Sequence, residues 1–462
     1  MIEYYLKYNT KNLKSTLSKF IIELETLLAL EQLSIEKSDQ RFYESIKPYL
    51  SESDYEKWCD LWFTLSKWQS EYPFFRKYFK PQTGVASSHR FVDLFAGCGG
   101  LSLGIEQAGF ECVLVNEIDA VFGETHYFNH HLPLSRYFIG DIQELVQCLT
   151  IEKENWSLEN VDLVCGGPPC QGFSMANRQR ILDDPRNHLY KAYLQFLSIT
   201  RPKFFIMENV KGMANRMDEI LANFHQYLGD DYDMAYAVLN AKHFGIPQHR
   251  ERLFLIGNRM GVNSEQIFTD LKASQIETGY SLKDALSKLP ALAPKRLKND
   301  NSLENTAYGF TMTRQTVENN VFLNDLNGNR CVSYVFNHKN RFNNDRDIEI
   351  FDRLPQGANS LHASIADIMP YGSRNHMFKD KYFKLEKNKV CKTITSHMKF
   401  DCNMYIHPTQ ARGLSAREAA RVQTFPDDFF LRGSQNNWYA QVGNAVPVQL
   451  AKLLGKQVKK YL

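Results

Sequence analysis

The 462-residue chain has no C-x-x-C pair, and its nine cysteines, at 59, 98, 112, 148, 165, 170, 331, 391 and 402, are odd in number and widely scattered. A disulfide framework and a structural zinc cluster are therefore not expected, and a reducing compartment suits the chain. Most of these cysteines are expected to behave as small buried hydrophobes. No stretch reaches 18 apolar residues; the longest contender, FIIELETLLAL at 20–30, is broken by Glu23 and Glu25. A membrane span is thus not expected. MIEYYLKYN lacks a basic segment followed by an apolar run, so a secretory leader is not expected and the cytoplasm is the expected location. Neither sign of charge dominates: 55 Lys and Arg face 52 Asp and Glu, for a net charge of +3. That balance excludes a dedicated polycation and an acidic tail protein. Internal repeats and low-complexity tracts are missing as well. What remains is ordinary globular material, 43% apolar and 23% charged, with length for about two to four domains.

Three textures follow one another. Residues 1–88 have helical spacing in LKSTLSKFIIELETLLALEQL (13–33), a tryptophan group (Trp58, Trp62, Trp68), and 12 basic against 12 acidic residues. They read as a helical packing or interaction unit for an unidentified partner, without the charge that nucleic acid demands. After the linker-like PQTGVASSH (81–89), short apolar runs alternate with helical stretches. FVDLF (91–95), CVLVNE (112–117), VDLVCGG (161–167), KFFIMEN (203–209), YAVLNA (236–241) and RLFLIG (252–257) read as buried strands. GLSLGIEQAGF and LYKAYLQFLSITR read as helices between them. The expected class is α/β, a parallel sheet with helices on both faces. Between 295 and 400 regularity fades, with 17 Lys and Arg against 11 Asp and Glu and 15 asparagines. Such a region suits the reading of base edges and phosphates, or equally a variable surface insertion.

Four motifs carry chemistry. In FVDLFAGCGGLSLGIEQAGF (91–110) a strand enters Gly97-Cys98-Gly99-Gly100 and then a helix, a turn that lets a ligand approach the backbone. Glu117, twenty residues after Gly97, can accept from both hydroxyls of a ribose, and Asp141 in GDI marks a third strand end. The turn is not G-x-G-x-x-G, so an adenosine-containing ligand without a diphosphate fits better than a dinucleotide. In GGPPCQGFS (166–174), two prolines stiffen the turn before Cys170 and project its thiol from the strand's carboxyl end. A thiolate there is a strong nucleophile. Glu208 in MENV is either a protonated carboxyl able to donate to a ring nitrogen or an ion-paired or capping residue. Arg250 and Arg252 in GIPQHRERLFLIG (245–257) read as two guanidinium groups on one strand face, for a carbonyl oxygen, a phosphate or surface ion pairs.

Taken in order, DLFAGCGG, NEIDA, GDI, GGPPCQGFS, ENV, QHRER, RGLSAREAARVQTFPDDF (412–429) and QVGNAVPVQLA (441–451) resemble the DNA (cytosine-5) methyltransferases from about 91 to 455. The resemblance implies a Rossmann-like S-adenosylmethionine-dependent methyltransferase domain at 89–294, completed by 412–462. A smaller target-recognition domain would occupy 295–411, with 1–88 as an N-terminal helical extension. Cys170 would attack cytosine C6, Glu208 would hold or protonate N3, and Arg252 would bind O2. Arg250 would place the catalytic loop or its phosphate, and the base would be flipped from the duplex. Phe95 and Gly97 would line the cofactor site and Glu117 would bind its ribose. Ile118 would pack on the adenine, and Asp141 would bind the adenine amino group with Ile142 alongside. Pro169, Leu189, Asn444 and Val446 would complete the pocket. Gln171, Ser174, Arg178, Arg180, Arg186 and Gln248 would contact DNA, the first five from a loop at 171–188. The resemblance further implies a monomer acting on double-stranded DNA, as the modification half of a restriction system. RNA as substrate, a DNA binder without catalysis, and a dehydrogenase are the rival readings. No metal is implied.

Overall fold

The computed structural model describes residues 89–130, 132, 136–151, 158, 160–169, 188–277, 279–296, 313–314, 320–329, 332, 334–370 and 381–462. The extension at 1–88 and the loop at 170–187 lie outside the described residues. Two compact units emerge: the first holds 89–239, 252–273 and 451–462, the second 240–251 and 274–450. The expected boundaries placed 240–251, 274–294 and 412–450 with the sheet; these segments instead belong to the second unit, and only 451–462 return to the first.

The first unit is built on a seven-stranded sheet in the order β3-β2-β1-β4-β5-β7-β6. Its elements run β1 (Arg90–Leu94), α1 (Gly100–Gln107), β2 (Glu111–Glu117), α2 (Ala120–Asn129), β3 (Tyr137–Ile139), α3 (Ile142–Ile151), β4 (Leu163–Gly166), α4 (His188–Thr200), β5 (Phe204–Val210), α5 (Met217–Leu228), β6 (Asp233–Asn240), β7 (Glu251–Asn258) and α6 (Ser264–Ala273). Strands β1 to β5 pair in parallel. Strand β7 runs antiparallel to β5, which corrects the expectation of an all-parallel sheet. The central strands are buried on both alternating sets of side chains, as RFVDL, LVCG and FFIMENV show, so apolar residues fill them almost continuously. Their inner faces join Leu145 and Leu149 of α3, Tyr190 and Leu194 of α4, and Ile220 and Phe224 of α5 in one core. Helix starts follow from sequence. Asp119 caps α2 through Val121 N at 2.9 Å, and Asp141 accepts from Gln143 N at 2.8 Å as α3 begins.

The second unit is irregular, as its sequence suggests. It contains α7 (Leu282–Leu286), α8 (Val321–Asn327), a two-strand pair of β8 (Thr313–Arg314) and β9 (Tyr334–Val335), α9 (Asp345–Arg353), α10 (Ala416–Val422) and α11 (Gln435–Asn444). A small apolar cluster includes Ile350, Phe351, Leu354, Ile365, Tyr382 and Ile406. Its other organising feature is ionic. Arg412 makes a two-pronged bond to Glu418 at 2.7 and 2.7 Å, and Arg421 makes one to Asp427 at 2.6 and 2.9 Å, all four buried. Arg417 spans the carbonyls of Phe336 (2.7 Å), Pro426 (2.8 Å) and Phe429. The RGLSAREAARVQTFPDDF block is therefore a buried polar scaffold. The chain closes with α12 (Val448–Lys459). There Lys459 Nζ donates to Gly109 O at 3.0 Å, and a Cβ on Gly455 would press on Ala108 beyond the end of α1.

Candidate active site

Parallel pairing brings the carboxyl ends of four strands to one edge of the sheet. Leu94 pairs with both Asn116 and Gly166, and Gly166 pairs with Met207. The residues that follow these positions, 95–100, 117–119, 167–169 and 208–210, are therefore neighbours. The antiparallel strand β7 adds its first residues to the same edge, because Val210 pairs with Arg252.

The glycine turn after β1 has the backbone its composition requires. Phe95 and Gly97 both have φ of 58°, and Gly99 has φ of 92°. That conformation is ordinary for glycine and costly for phenylalanine, so Phe95 is held strained at the strand end. A Cβ on Gly97 would meet nothing within 4 Å, leaving the turn open on that side. The Gly97 N–H donates to Glu117 Oε2 at 2.7 Å, and the Asp119 N–H donates to Glu117 Oε1 at 2.8 Å. Glu117 is thus fixed beside the turn, as its spacing suggested. Burial raises its pKa above the ordinary 4.5, against the pull of those backbone donors. Ile118 next to it is 67% exposed, an apolar surface with nothing covering it among the described residues. Asn116 Nδ2 donates to Phe138 O and Gly140 O, which ties the end of β2 to the start of the GDI segment and so brings Asp141 close to Glu117.

These residues suit an adenosyl group. A fixed carboxylate matches vicinal ribose hydroxyls, an exposed isoleucine matches an adenine face, and the open glycine turn admits a close ligand. Among the other expected cofactor residues, Pro169 is exposed and Leu189 packs partly against the sheet core. Ile142 is buried and belongs to that core. Asn444 is exposed and Val446 is buried, both in the second unit.

The GGPPC and ENV segments meet directly. A Cβ on Gly167 would lie 3.1 Å from Glu208 Oε2, so any larger residue there would press on the Glu208 carboxylate. Asn209 Nδ2 donates to Pro168 O at 2.9 Å and pins the turn two residues before Cys170. Asn209 was not singled out in the sequence, although its place beside Glu208 at a strand end was a signal. Arg252 Nε contacts Glu208 Oε1 at 3.0 Å, the two side chains being 18% and 14% exposed. Of the open readings of Glu208, the ion-paired one is realised. Its partner is the arginine expected to bind the base.

Two expectations are corrected. Arg250 and Arg252 do not share a strand face, because β7 begins at Glu251. Arg250 is buried in the second unit, donating to Ile394 O at 2.7 Å and Gly443 O at 3.3 Å, and the loop it was expected to place lies outside the described residues. Gln248 is likewise fully buried, where it donates to Gln423 Oε1 at 2.7 Å and accepts from Ile394 N at 2.8 Å. A side chain so occupied is not presented to DNA. Cys170, Gln171, Ser174, Arg178, Arg180 and Arg186 lie outside the described residues. Among the described residues no cluster of His, Cys, Asp and Glu could hold a metal ion, and no helix is long and apolar enough to cross a membrane.

Removing the Glu117 carboxylate is expected to raise the Kd for S-adenosylmethionine about tenfold or more, the scale of lost charge-assisted hydrogen bonds. DNA affinity should be little changed. Calorimetric titration of Glu117→Ala checks this, and an unaltered Kd would remove the ribose assignment.

Residues 89–460 match the C-5 cytosine-specific DNA methylase family. The type II methyltransferase M1.HphI of Haemophilus parahaemolyticus is 33% identical over 382 residues, covering 80% of this chain and 86% of that one. M.DdeI of Desulfomicrobium norvegicum is 31% identical over 392 residues, covering 80% and 88%. Among solved structures, a candidate DNA modification methyltransferase encoded within an E. coli prophage aligns with a TM-score of 0.62 at 25% identity, covering 81% of this chain and 99% of that one. With the family matched over most of its length on a methyltransferase-type sheet, this chain belongs to the C-5 cytosine-specific DNA methylases and is a DNA cytosine-5 methyltransferase.

Proposed function

We propose that the protein methylates cytosine C5 within one short double-stranded DNA sequence, using S-adenosylmethionine and a covalent Cys170–C6 intermediate on a flipped base. The observation that carries this reading is the juxtaposition of Gly167-Pro168 with Glu208-Asn209 and Arg252. It puts a carboxyl and a guanidinium at the strand edge that leads into Cys170. The Cys170 thiolate adds to C6 and C5 becomes nucleophilic. Glu208 holds N3 and Arg252 binds O2, stabilising the negative charge that addition places on the ring. C5 then takes the methyl group, the C5 proton leaves to a base, and expulsion of Cys170 restores the aromatic ring. In the structure Arg252 and Glu208 occupy each other, so an incoming cytosine exchanges part of that ion pair for its own N3 and O2 contacts.

The cofactor supplies an electrophilic methyl group. The chain's own part is to hold it: Glu117 on the ribose, Ile118 on the adenine, Asp141 on the exocyclic amine, and Phe95 and Gly97 along the turn. Pro169, Leu189, Asn444 and Val446 complete that set. Gln171, Ser174, Arg178, Arg180 and Arg186 bind DNA in the loop after Cys170. The basic, amide-rich segment between 295 and 411 reads the sequence, the cytoplasm is the site of action, and protection of host DNA from a partner endonuclease is the biological role.

Bisulfite sequencing of duplex DNA treated with the protein and cofactor tests the reading. Protected cytosines are expected at one short motif, and exchanging 295–390 for a relative's segment is expected to change that motif. An unchanged motif after the exchange would place recognition elsewhere in the chain.

A further inference from the structure

Beneath the glycine turn lies a buried polar chain that catalysis does not use. Asp93 of β1 accepts from Ser102 Oγ of α1. Ser102 Oγ lies 2.9 Å from His126 Nε2 of α2, and His126 Nδ1 lies 2.8 Å from Tyr137 Oη of β3. His130 stacks on His126 with ring centroids 3.8 Å apart, and its Nδ1 lies 2.8 Å from Glu106 Oε2. Asp93, Ser102, His126, His130 and Tyr137 are all buried. The two imidazoles form the floor of the turn, since a Cβ on Gly99 would collide with His130 Nε2 and His126 Cδ2. Apolar side chains would fill this space at less cost, because buried polar groups are stable only when their hydrogen bonds are complete.

The chain has two possible directions. Serine has one proton to give. If Asp93 is ionised, Ser102 donates to it, so the Ser102 oxygen accepts from His126 Nε2–H and Nδ1 accepts from Tyr137. If Asp93 is protonated, it donates to Ser102, Ser102 donates to Nε2, and Nδ1–H donates to the Tyr137 oxygen. One proton on Asp93 therefore decides which imidazole nitrogen carries hydrogen.

We propose that Asp93, Ser102 and His126 form a positioning relay for the cofactor turn, in which protonation of Asp93 reverses the chain, switches the His126 tautomer and loosens the turn's grip on the adenosyl ligand. The proposal rests on the assignment of this turn to the cofactor. Burial pushes the Asp93 carboxyl up to about 7, opposed by hydrogen bonding to Ser102 and Cys165 and reinforced by the nearby Glu117. The other titratable groups facing it are Cys112 of β2 and Tyr193 of α4, whose own ionisation burial suppresses. Burial, with His130 adding to it, lowers the His126 pKa well below 6.5, so the ring stays neutral while Asp93 titrates. The ionised form carries the stronger, charge-assisted bond to Ser102. The turn is therefore held best above the Asp93 pKa and less well below it.

The test is a pH series from about 5.5 to 8.5, spanning the ordinary histidine range, on the full chain with 15N-labelled histidine. The His126 signals are assigned by their loss in His126→Gln. Nitrogen shifts should report Nε2–H at the alkaline end and Nδ1–H at the acid end, with no imidazolium, and Asp93→Asn should abolish the switch. In parallel, the Kd for S-adenosylhomocysteine should rise about tenfold toward acid pH. That dependence should vanish in Asp93→Asn and Ser102→Ala and return in Ser102→Thr. One tautomer throughout, or an imidazolium, would overturn the relay in the unmodified protein whether or not the variants fold. A pH-independent Kd, with binding still weakened by Glu117→Ala, would overturn the relay alone. A Kd unmoved by Glu117→Ala would instead refute the cofactor assignment on which the proposal rests.

Discussion

Replacing Cys170 with alanine is expected to lower methyl transfer by about four orders of magnitude or more, the scale seen when a covalent nucleophile is removed. Cofactor affinity should stay near that of the unaltered chain. The Asn209 clamp on Pro168 and the close approach of Gly167 to Glu208 fix the direction in which the chain leaves β4. Gly167 and Pro168 therefore sit at the edge where Glu208 and Arg252 lie. Without the thiol nothing adds to C6, and C5 remains an aromatic carbon with little reactivity toward an electrophile. Single-turnover transfer and calorimetric cofactor binding separate the two effects. Duplex DNA carrying 5-fluorocytosine adds a positive readout. Fluorine cannot leave C5 as the proton does, so the unaltered protein should remain covalently attached and Cys170→Ala should not. Turnover by Cys170→Ala above about one per cent of the original would contradict a nucleophilic role.

The second large effect concerns stability. Arg412→Ala should destabilise the second unit by about 3–5 kcal/mol, the cost of stranding one member of a buried ion pair. Glu418 receives both Arg412 nitrogens and the Ser415 N–H at 2.7 Å, with His407 Nε2 at 3.6 Å. Burial alone would raise the Glu418 pKa. The Arg412 guanidinium overcomes it by charge and hydrogen bond, holding the carboxyl well below the usual carboxylate range. Glu418 therefore stabilises the fold above its ordinary pKa of 4.5, and that contribution is lost as pH falls further. His407 has the same sign in a higher window: burial lowers it from 6.5 to about 4, so its contribution is complete above 6.5 and lost on acidification toward 4. Urea unfolding at neutral pH measures the Arg412→Ala change. A loss below about 1 kcal/mol would show that the pair is not the linchpin its burial suggests, while Arg412→Met with Glu418→Leu should come close to the original stability.

Much of the sheet was legible because its strands are buried on both sides and so appear as short apolar runs. FVDLF, CVLVNE and KFFIMEN end within about two residues of β1, β2 and β5, the usual uncertainty at element ends. Strand direction was not legible, since RLFLIG has the same composition whichever way it runs, and β7 proved antiparallel. The Glu117 side of the site was readable from spacing alone, because a turn and a strand end twenty residues apart meet whenever β1 and β2 pair in parallel. Arg250 and Gln248 misled for the opposite reason. Their partners Ile394, Gln423 and Gly443 lie about 150–190 residues away, at separations where pattern reasoning has no purchase. The histidine floor beneath the turn went unread as well. The i, i+4 spacing of His126 and His130 in ETHYFNHH was visible, but the bonds to Ser102 and Tyr137 that give it meaning arise only on folding.

The measurement closest to the central claim is transfer of labelled methyl from S-adenosylmethionine to unmethylated duplex DNA, with bulk tRNA alongside and both products digested to nucleosides. Label in 5-methyldeoxycytidine, from DNA alone, is the predicted result and fixes reaction, substrate and ring position together. Label confined to tRNA would contradict the DNA assignment, and label on another base or another atom of cytosine would contradict the chemistry built on Cys170, Glu208 and Arg252.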